Sequence, residues 1–250
     1  MGDMKNPWVA IGVILVVLLG GSVAYSLSVA KTYNEGVVVA PHIKGGTDAK
    51  ISLVEYSDFQ CPACGQFEPI VAEVLAAHGD ALKFEYKHFP LIQIHPFAQP
   101  AALAAEAAGQ QGKFFEYHDM LFAKQEEWSK GTNPAGFFTQ YAQALGLDMA
   151  LFAKHQRSSL LQDAVRASFD EARSKNLTGT PSFFLNGTKM DIKSPDDFKA
   201  QIALAINPNA NFNVTAGDET LKAVQIEGDT TIAPTEVAPM PPTPAVKFGI

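Results

Sequence analysis

The chain has two cysteines, Cys61 and Cys64, and both sit in SDFQCPACGQFEP at 57–69. Only Pro62 and Ala63 separate them. Such a pair can exchange electrons, supply half of a zinc site, or close a structural disulfide. A structural zinc site needs four ligands. There is no third cysteine, and His78, His88 and His95 are spaced too widely for a usual His–His pair. A disulfide across two residues removes little unfolded-state entropy, so it contributes little stability. The redox reading has a direct mechanism. A thiolate at a helix N-terminus meets unpaired backbone N–H groups and the positive end of the helix dipole, and these lower its pKa. Cys61, at the helix start, is therefore expected to be the exposed nucleophile. Cys64, one turn further in, is expected to be more buried and to resolve the mixed disulfide. A low-pKa Cys61 is also a good leaving group, which favours passing the disulfide on.

The elements that must hold this pair can be read around it. ISLVEYS at 51–57 is rich in β-branched and aromatic residues and reads as a buried strand. Phe67, Ile70, Val71, Val74 and Leu75 recur at helical spacing. The pair thus lies at a strand-to-helix junction, with Pro62 in the first helical turn, where its missing N–H is harmless. ALKFEYKHF at 81–89 reads as a second strand. AQPAALAAEAAGQQ, KFFEYHDMLFAKQ, PAGFFTQYAQALG and SLLQDAVRASFDEARSK predict about four helices between 97 and 173. SFFLNG at 182–187 is a strand, Asn186-Gly187 a hairpin turn and TKMDI the returning strand. Ser194-Pro195-Asp196-Asp197 opens a last helix to about Ile206. The order is that of an α/β fold with a helical insertion.

The divisions expected are an apolar helix at 1–30, a linker at 31–48, the α/β unit at 49–96 and 176–206, its insertion at 97–175, and a Pro/Thr-rich tail at 207–250. WVAIGVILVVLLGGSVAY at 8–25 carries no charge. Its eighteen residues make roughly 27 Å of helix, near the hydrocarbon thickness. It reads as a signal anchor, with a cleavable signal peptide as the rival, because Ser22-Val23-Ala24 and Ser28-Val29-Ala30 are small-x-small sites. Either way the remainder is exported, to where disulfides persist. The tail is expected to be disordered, with a possible short strand at 221–228. A net charge of −7 and no basic block argue against nucleic acid as a partner.

Other residues invite weaker readings. Glu55 lies on the first strand, where a carboxylate is expensive unless paired or protonated. It is either a proton acceptor for Cys64 or a solvated strand-end group. Asp58 reads as a turn residue. Phe59 and Gln60 are expected to line an exposed lip around Cys61, His95 to be a loop or capping group, and Trp128 to be helical core.

VEYSDFQCPAC, then HPFAQPAALAAEAAGQQGKFFEYHDMLF, then GTPSFFLNG resemble the DsbA-like branch of the thioredoxin superfamily, over about 41–206. The resemblance implies a thioredoxin fold with an inserted α-helical domain. It implies a cis Thr180-Pro181 peptide facing the cysteines and offering backbone to an extended substrate. Glu55 stands where many members carry an acidic residue. In the family the dipeptide between the cysteines tunes the potential. Here it is Pro62-Ala63, without a histidine or aromatic, so a strongly oxidising poise is not implied. The whole reads as an extracytoplasmic, membrane-tethered, monomeric thiol–disulfide oxidoreductase acting on reduced exported proteins. It would need no metal, nucleotide or other cofactor, and a quinone-linked membrane partner for recycling is implied. Oxidase is preferred over isomerase or reductase, because no isomerase-type dimerisation domain precedes the catalytic unit. A glutathione-dependent isomerase usually lacks a resolving cysteine. The reading from another class is a non-catalytic envelope-binding module that uses the Pro-rich tail.

Overall fold

The computed structural model describes residues 7–209, with five strands in one mixed sheet and nine α-helices among them. Helix α1 is Pro7–Asn34. Strand β1 (His42–Gly45) leads to β2 (Ile51–Ser57), α2 (Pro62–His78) and β3 (Leu82–His88). The insertion follows as α3 (Ala98–Gly109), α4 (Phe114–Ala123), α5 (Gln125–Ser129), α6 (Ala135–Ala144), α7 (Met149–His155) and α8 (Ser159–Ser174). The chain ends its described part with β4 (Ser182–Leu185), β5 (Thr188–Lys189) and α9 (Pro195–Ile206). This is a thioredoxin fold with an inserted helical block.

The sheet order is β1-β3-β2-β4-β5; β2 and β3 are parallel, and the other pairs antiparallel. Strand β2 is central, and its alternation decides what reaches the cysteines. Leu53, Glu55 and Ser57 share one face. Tyr56 faces the other, where it meets Phe89, Ala172 and Leu177. The first face carries α2, whose Cys64, Val71 and Val74 are buried. There Phe67 of α2, Phe183 of β4 and Phe198 of α9 form an aromatic trio, with centroids 4.8 to 5.1 Å apart. This trio couples the helix that carries the cysteines to the strand that follows Pro181.

Several sequence expectations need correction. The segment 31–48 is not merely a linker. Helix α1 runs on to Asn34, and β1 adds an edge strand antiparallel to β3. Asn34 also ties the helix end to the insertion. Its Oδ1 accepts from the Ser158 hydroxyl at 2.8 Å, and its Nδ2 donates to the Ser159 hydroxyl at 2.9 Å. The insertion has six helices rather than four. Helices α5 and α7, of five and seven residues, are too short to display a period. The returning strand shrinks from TKMDI to Thr188–Lys189, because the chain then leaves the sheet for α9, capped by Ser194. Asn186 and Gly187 both have positive φ, as a tight hairpin turn requires. The expected tail and its strand at 221–228 lie outside the described residues. Within α1, Ile11–Asn34 is long and apolar enough to cross a bilayer by length and composition.

Phe198 is fully buried. Replacing it with alanine should lower stability by about 3–5 kcal/mol, measurable by urea unfolding. A loss under 1 kcal/mol would mean that the trio does not carry the α2–α9 packing.

Candidate active site

The turn from β2 into α2 is built by Asp58. Its carbonyl accepts from Cys61 N at 3.0 Å, and its Oδ1 accepts from Gln60 N at 2.8 Å. Its other oxygen, Oδ2, accepts from Leu91 N at 2.9 Å and bonds His95 Nδ1 at 2.8 Å. Asp58 is therefore a turn residue, as expected, and also ties the cysteine turn to the loop after β3. His95 serves that tie. Gln60 adds another: its Oε1 accepts from Phe97 N at 2.7 Å. Phe59 does not line a lip. It is 1% exposed, packed among Tyr86, His88, His118 and Phe122. Its side chain points inward because Asp58 and Gln60 have already turned the chain over the core. Trp128 is buried core, as read, and donates from Nε1 to the Leu121 carbonyl.

Cys61 caps α2 with extended backbone (φ −70°, ψ 121°), and Pro62 opens the first turn. Both cysteines are free thiols. Cys64 is fully buried, as expected, but Cys61 is only 8% exposed, not the open nucleophile expected. The loop before β4 lies close against it. In the antiparallel pairing, Tyr56 faces Ser182, so one step beyond sets Pro181 opposite Ser57. That brings the cis Thr180–Pro181 peptide to the cysteine turn, with the Cys61 thiol 3.5 Å from the Thr180 carbonyl oxygen. Pro62 and Ala63 are exposed and form the outer wall of the turn.

The two sulfurs are driven apart in acidity. Cys61 is lowered to about 5. The largest cause is the hydrogen bond from the Cys64 thiol. Burial opposes it, while Thr180 and the backbone N–H groups of Cys64 and Ala63 assist. The helix-terminus amides thus contribute, but the neighbouring sulfur leads. The Thr180 hydroxyl is buried beside the Cys61 sulfur. Cys64 is raised well above an ordinary thiol by burial, by its bond to Cys61 and by the charges of Cys61 and Glu55.

Glu55 is 3% exposed, which removes the solvated strand-end reading. Burial raises its pKa to about 7, with the Ser57 side chain opposing. Sequence reasoning missed two neighbours. Glu68, a turn beyond Cys64, is raised to about 8 by burial and then by the charge of Glu55. Gln125 of α5 donates from one nitrogen to the carbonyls of Phe59 at 2.7 Å and Cys61 at 2.9 Å. Gly65 makes room for it, since a Cβ there would lie 2.6 Å from the Gln125 oxygen. A glycine directly after the CxxC was the one available signal.

Residues 38–203 match the family model described as thioredoxin. The Na+/H+ antiporter NhaA 3 of Salinispora tropica is 40% identical over 148 residues, covering 59% of this chain and 22% of the antiporter. The chain thus spans about a fifth of the length of that relative. Among solved structures, oxidised BdbD from Bacillus subtilis superposes with a TM-score of 0.59 at 21% identity, covering 69% of this chain and 94% of BdbD. For alpha-DsbA1 of Wolbachia pipientis the values are 0.60, 19%, 71% and 97%. These two show the fold.

One thiol of the reduced protein should titrate near pH 5 by thiolate ultraviolet absorbance, and Cys61→Ser should remove that transition. The sign for stability follows. The folded pKa lies below the ordinary value near 8.5, so Cys61 should stabilise the reduced fold fully above about pH 8.5. That contribution should fade as pH falls through 5. A single transition near pH 8.5 would contradict this site.

Proposed function

The chain belongs to the thioredoxin family, and on that premise we propose that it is a thiol–disulfide oxidoreductase working through Cys61 and Cys64 on exported proteins. The observation that carries the proposal is the opposed acidity of two sulfurs one helical turn apart. In the oxidised enzyme a substrate thiolate attacks Cys61, and the Cys61–Cys64 bond breaks. A mixed disulfide forms, and Cys64 leaves as the sulfur that needs a proton. Glu55, with a pKa raised to about 7, supplies that proton and takes one back when the dithiol is re-oxidised. A second substrate thiolate then attacks its own mixed-disulfide sulfur, and Cys61 leaves as a stable thiolate. Two electrons pass from substrate to enzyme. A quinone-linked membrane partner is the proposed acceptor that restores the disulfide.

Thr180 and Pro181 present the backbone against which an extended substrate lies. Pro62 and Ala63 shape the outer turn that the incoming thiol must approach. The direction proposed is oxidation, since a Cys61 near pKa 5 leaves a mixed disulfide readily. Helix α1, long and apolar enough to span a bilayer, supports a single-pass anchor; the proposed catalytic unit lies outside the cytoplasm and acts as a monomer. The antiporter's transport is not carried over, because the similarity covers only a minor part of that protein.

Cys61→Ser should abolish oxidation of a reduced test protein, and Cys64→Ser should accumulate mixed disulfides. Wild-type activity in Cys64→Ser without trapped adducts would sink the two-sulfur mechanism. The potential of the pair should lie between the reference values of about −120 mV and −270 mV, measured against glutathione. Glu55→Gln should leave the first attack by Cys61 unchanged, slow re-oxidation of the dithiol about tenfold or more, and flatten its pH dependence around 7. An unaltered re-oxidation profile would remove Glu55 from the proton path.

A further inference from the structure

Away from the cysteines, three polar side chains converge where a core would be expected to be dry. His42 comes from β1, His88 from the end of β3 and Glu106 from α3. Glu106 is 5% exposed on a helix whose other buried residues are all alanine. His42 Nε2 lies 2.8 Å and His88 Nε2 3.1 Å from the same oxygen, Glu106 Oε1. One ligand atom from each residue falls within 4.8 Å of the others.

We propose that His42, His88 and Glu106 form a site for a zinc-type divalent cation that fastens the edge of the sheet to the helical insertion. Two imidazole nitrogens and one carboxylate oxygen suit zinc and its transition-metal neighbours, whereas calcium and magnesium prefer all-oxygen shells. A tetrahedral zinc with bonds of about 2.0–2.1 Å spaces its ligands about 3.3 Å apart. The two hydrogen-bonded contacts need to open by only a few tenths of an ångström. Each imidazole must then carry its hydrogen on Nδ1 instead of Nε2. The rings are held in place for this. His42 stacks on Phe114 with an interplanar angle of 4°, and Tyr86 abuts His88 edge-on.

The three residues line a cavity of about 280 Å³, which leaves room for water as a fourth ligand. Glu85 and Glu171 also line it, against Lys87 as the cation beside them, so the surroundings favour positive charge. No short-range motif announces the site, because its residues are 46 and 18 positions apart in the chain.

The test uses the full chain in detergent, oxidised so that the cysteine sulfurs cannot ligate, stripped of metal and titrated with cobalt(II) and then zinc. One equivalent of cobalt should give the visible bands of a tetrahedral N/O site, and zinc should displace it and raise the melting temperature. Glu106→Gln and His42→Gln, each checked for folding by circular dichroism, should weaken binding more than about 100-fold, beyond the loss typical of a merely supporting partner. His42 is partly exposed, so its variant keeps the test alive if Glu106→Gln fails to fold. His118→Gln, in the separate Glu68–His118–Asp119 group, should bind as wild type. The proposal falls if wild type takes up no stoichiometric metal, if the His42 and Glu106 variants bind unchanged, or if His118→Gln alone abolishes binding.

Discussion

A sulfur anion in a nearly dry site is sustained by the hydrogen of a second sulfur one helical turn away. That contact sets the conditions the surrounding structure must meet. Helix α2 has to begin at Cys61, so that Cys64 arrives one turn later on the same side. Pro62 permits that start, since it lacks the N–H that a first turn leaves unpaired. Gln125 then holds the carbonyls of Phe59 and Cys61, which fixes the turn from the insertion side. Gly65 is the space in which Gln125 fits. On the remaining side, the loop before β4 closes over the sulfur and leaves Cys61 nearly as covered as its partner.

This burial makes the carboxylates behind the pair expensive. Glu55 and Glu68 sit where charge is poorly solvated, and the charge of Glu55 raises the pKa of both Cys64 and Glu68. For Glu55 the sign is clear. A carboxyl raised from 4.5 to about 7 opposes folding increasingly as pH climbs through that interval. The fold tolerates the cost because the sheet around it is secured elsewhere, through the Phe67–Phe183–Phe198 trio and the β2–β3 ladder. Burying the Glu55 carboxyl on the central strand therefore works against stability.

The helical insertion does more than decorate the sheet. It supplies Gln125 to the cysteine turn, His118 and Phe122 to the packing around Phe59, and Glu106 to the histidines of β1 and β3. Asp58 bonds the loop that leads into it. The cysteine turn is thus held from both the sheet and the insertion.

Much was legible in the chain itself. The CxxC at a strand-to-helix junction, the period-2 and helical runs, the Asn186-Gly187 turn and the Ser194 cap are local patterns, and local chemistry decides them. The sequence by itself therefore determined the α/β order, the inserted helices and the place of the pair at a helix start. It could not determine which groups meet across the fold. That Cys61 is nearly buried, that Phe59 turns inward, that Gln125 holds the turn and that His42, His88 and Glu106 converge were decided only by tertiary structure. The physical reason is that these contacts join residues tens of positions apart. Only the register of the sheet and the packing of the insertion bring such residues to one point, and neither can be read from any single stretch of the chain.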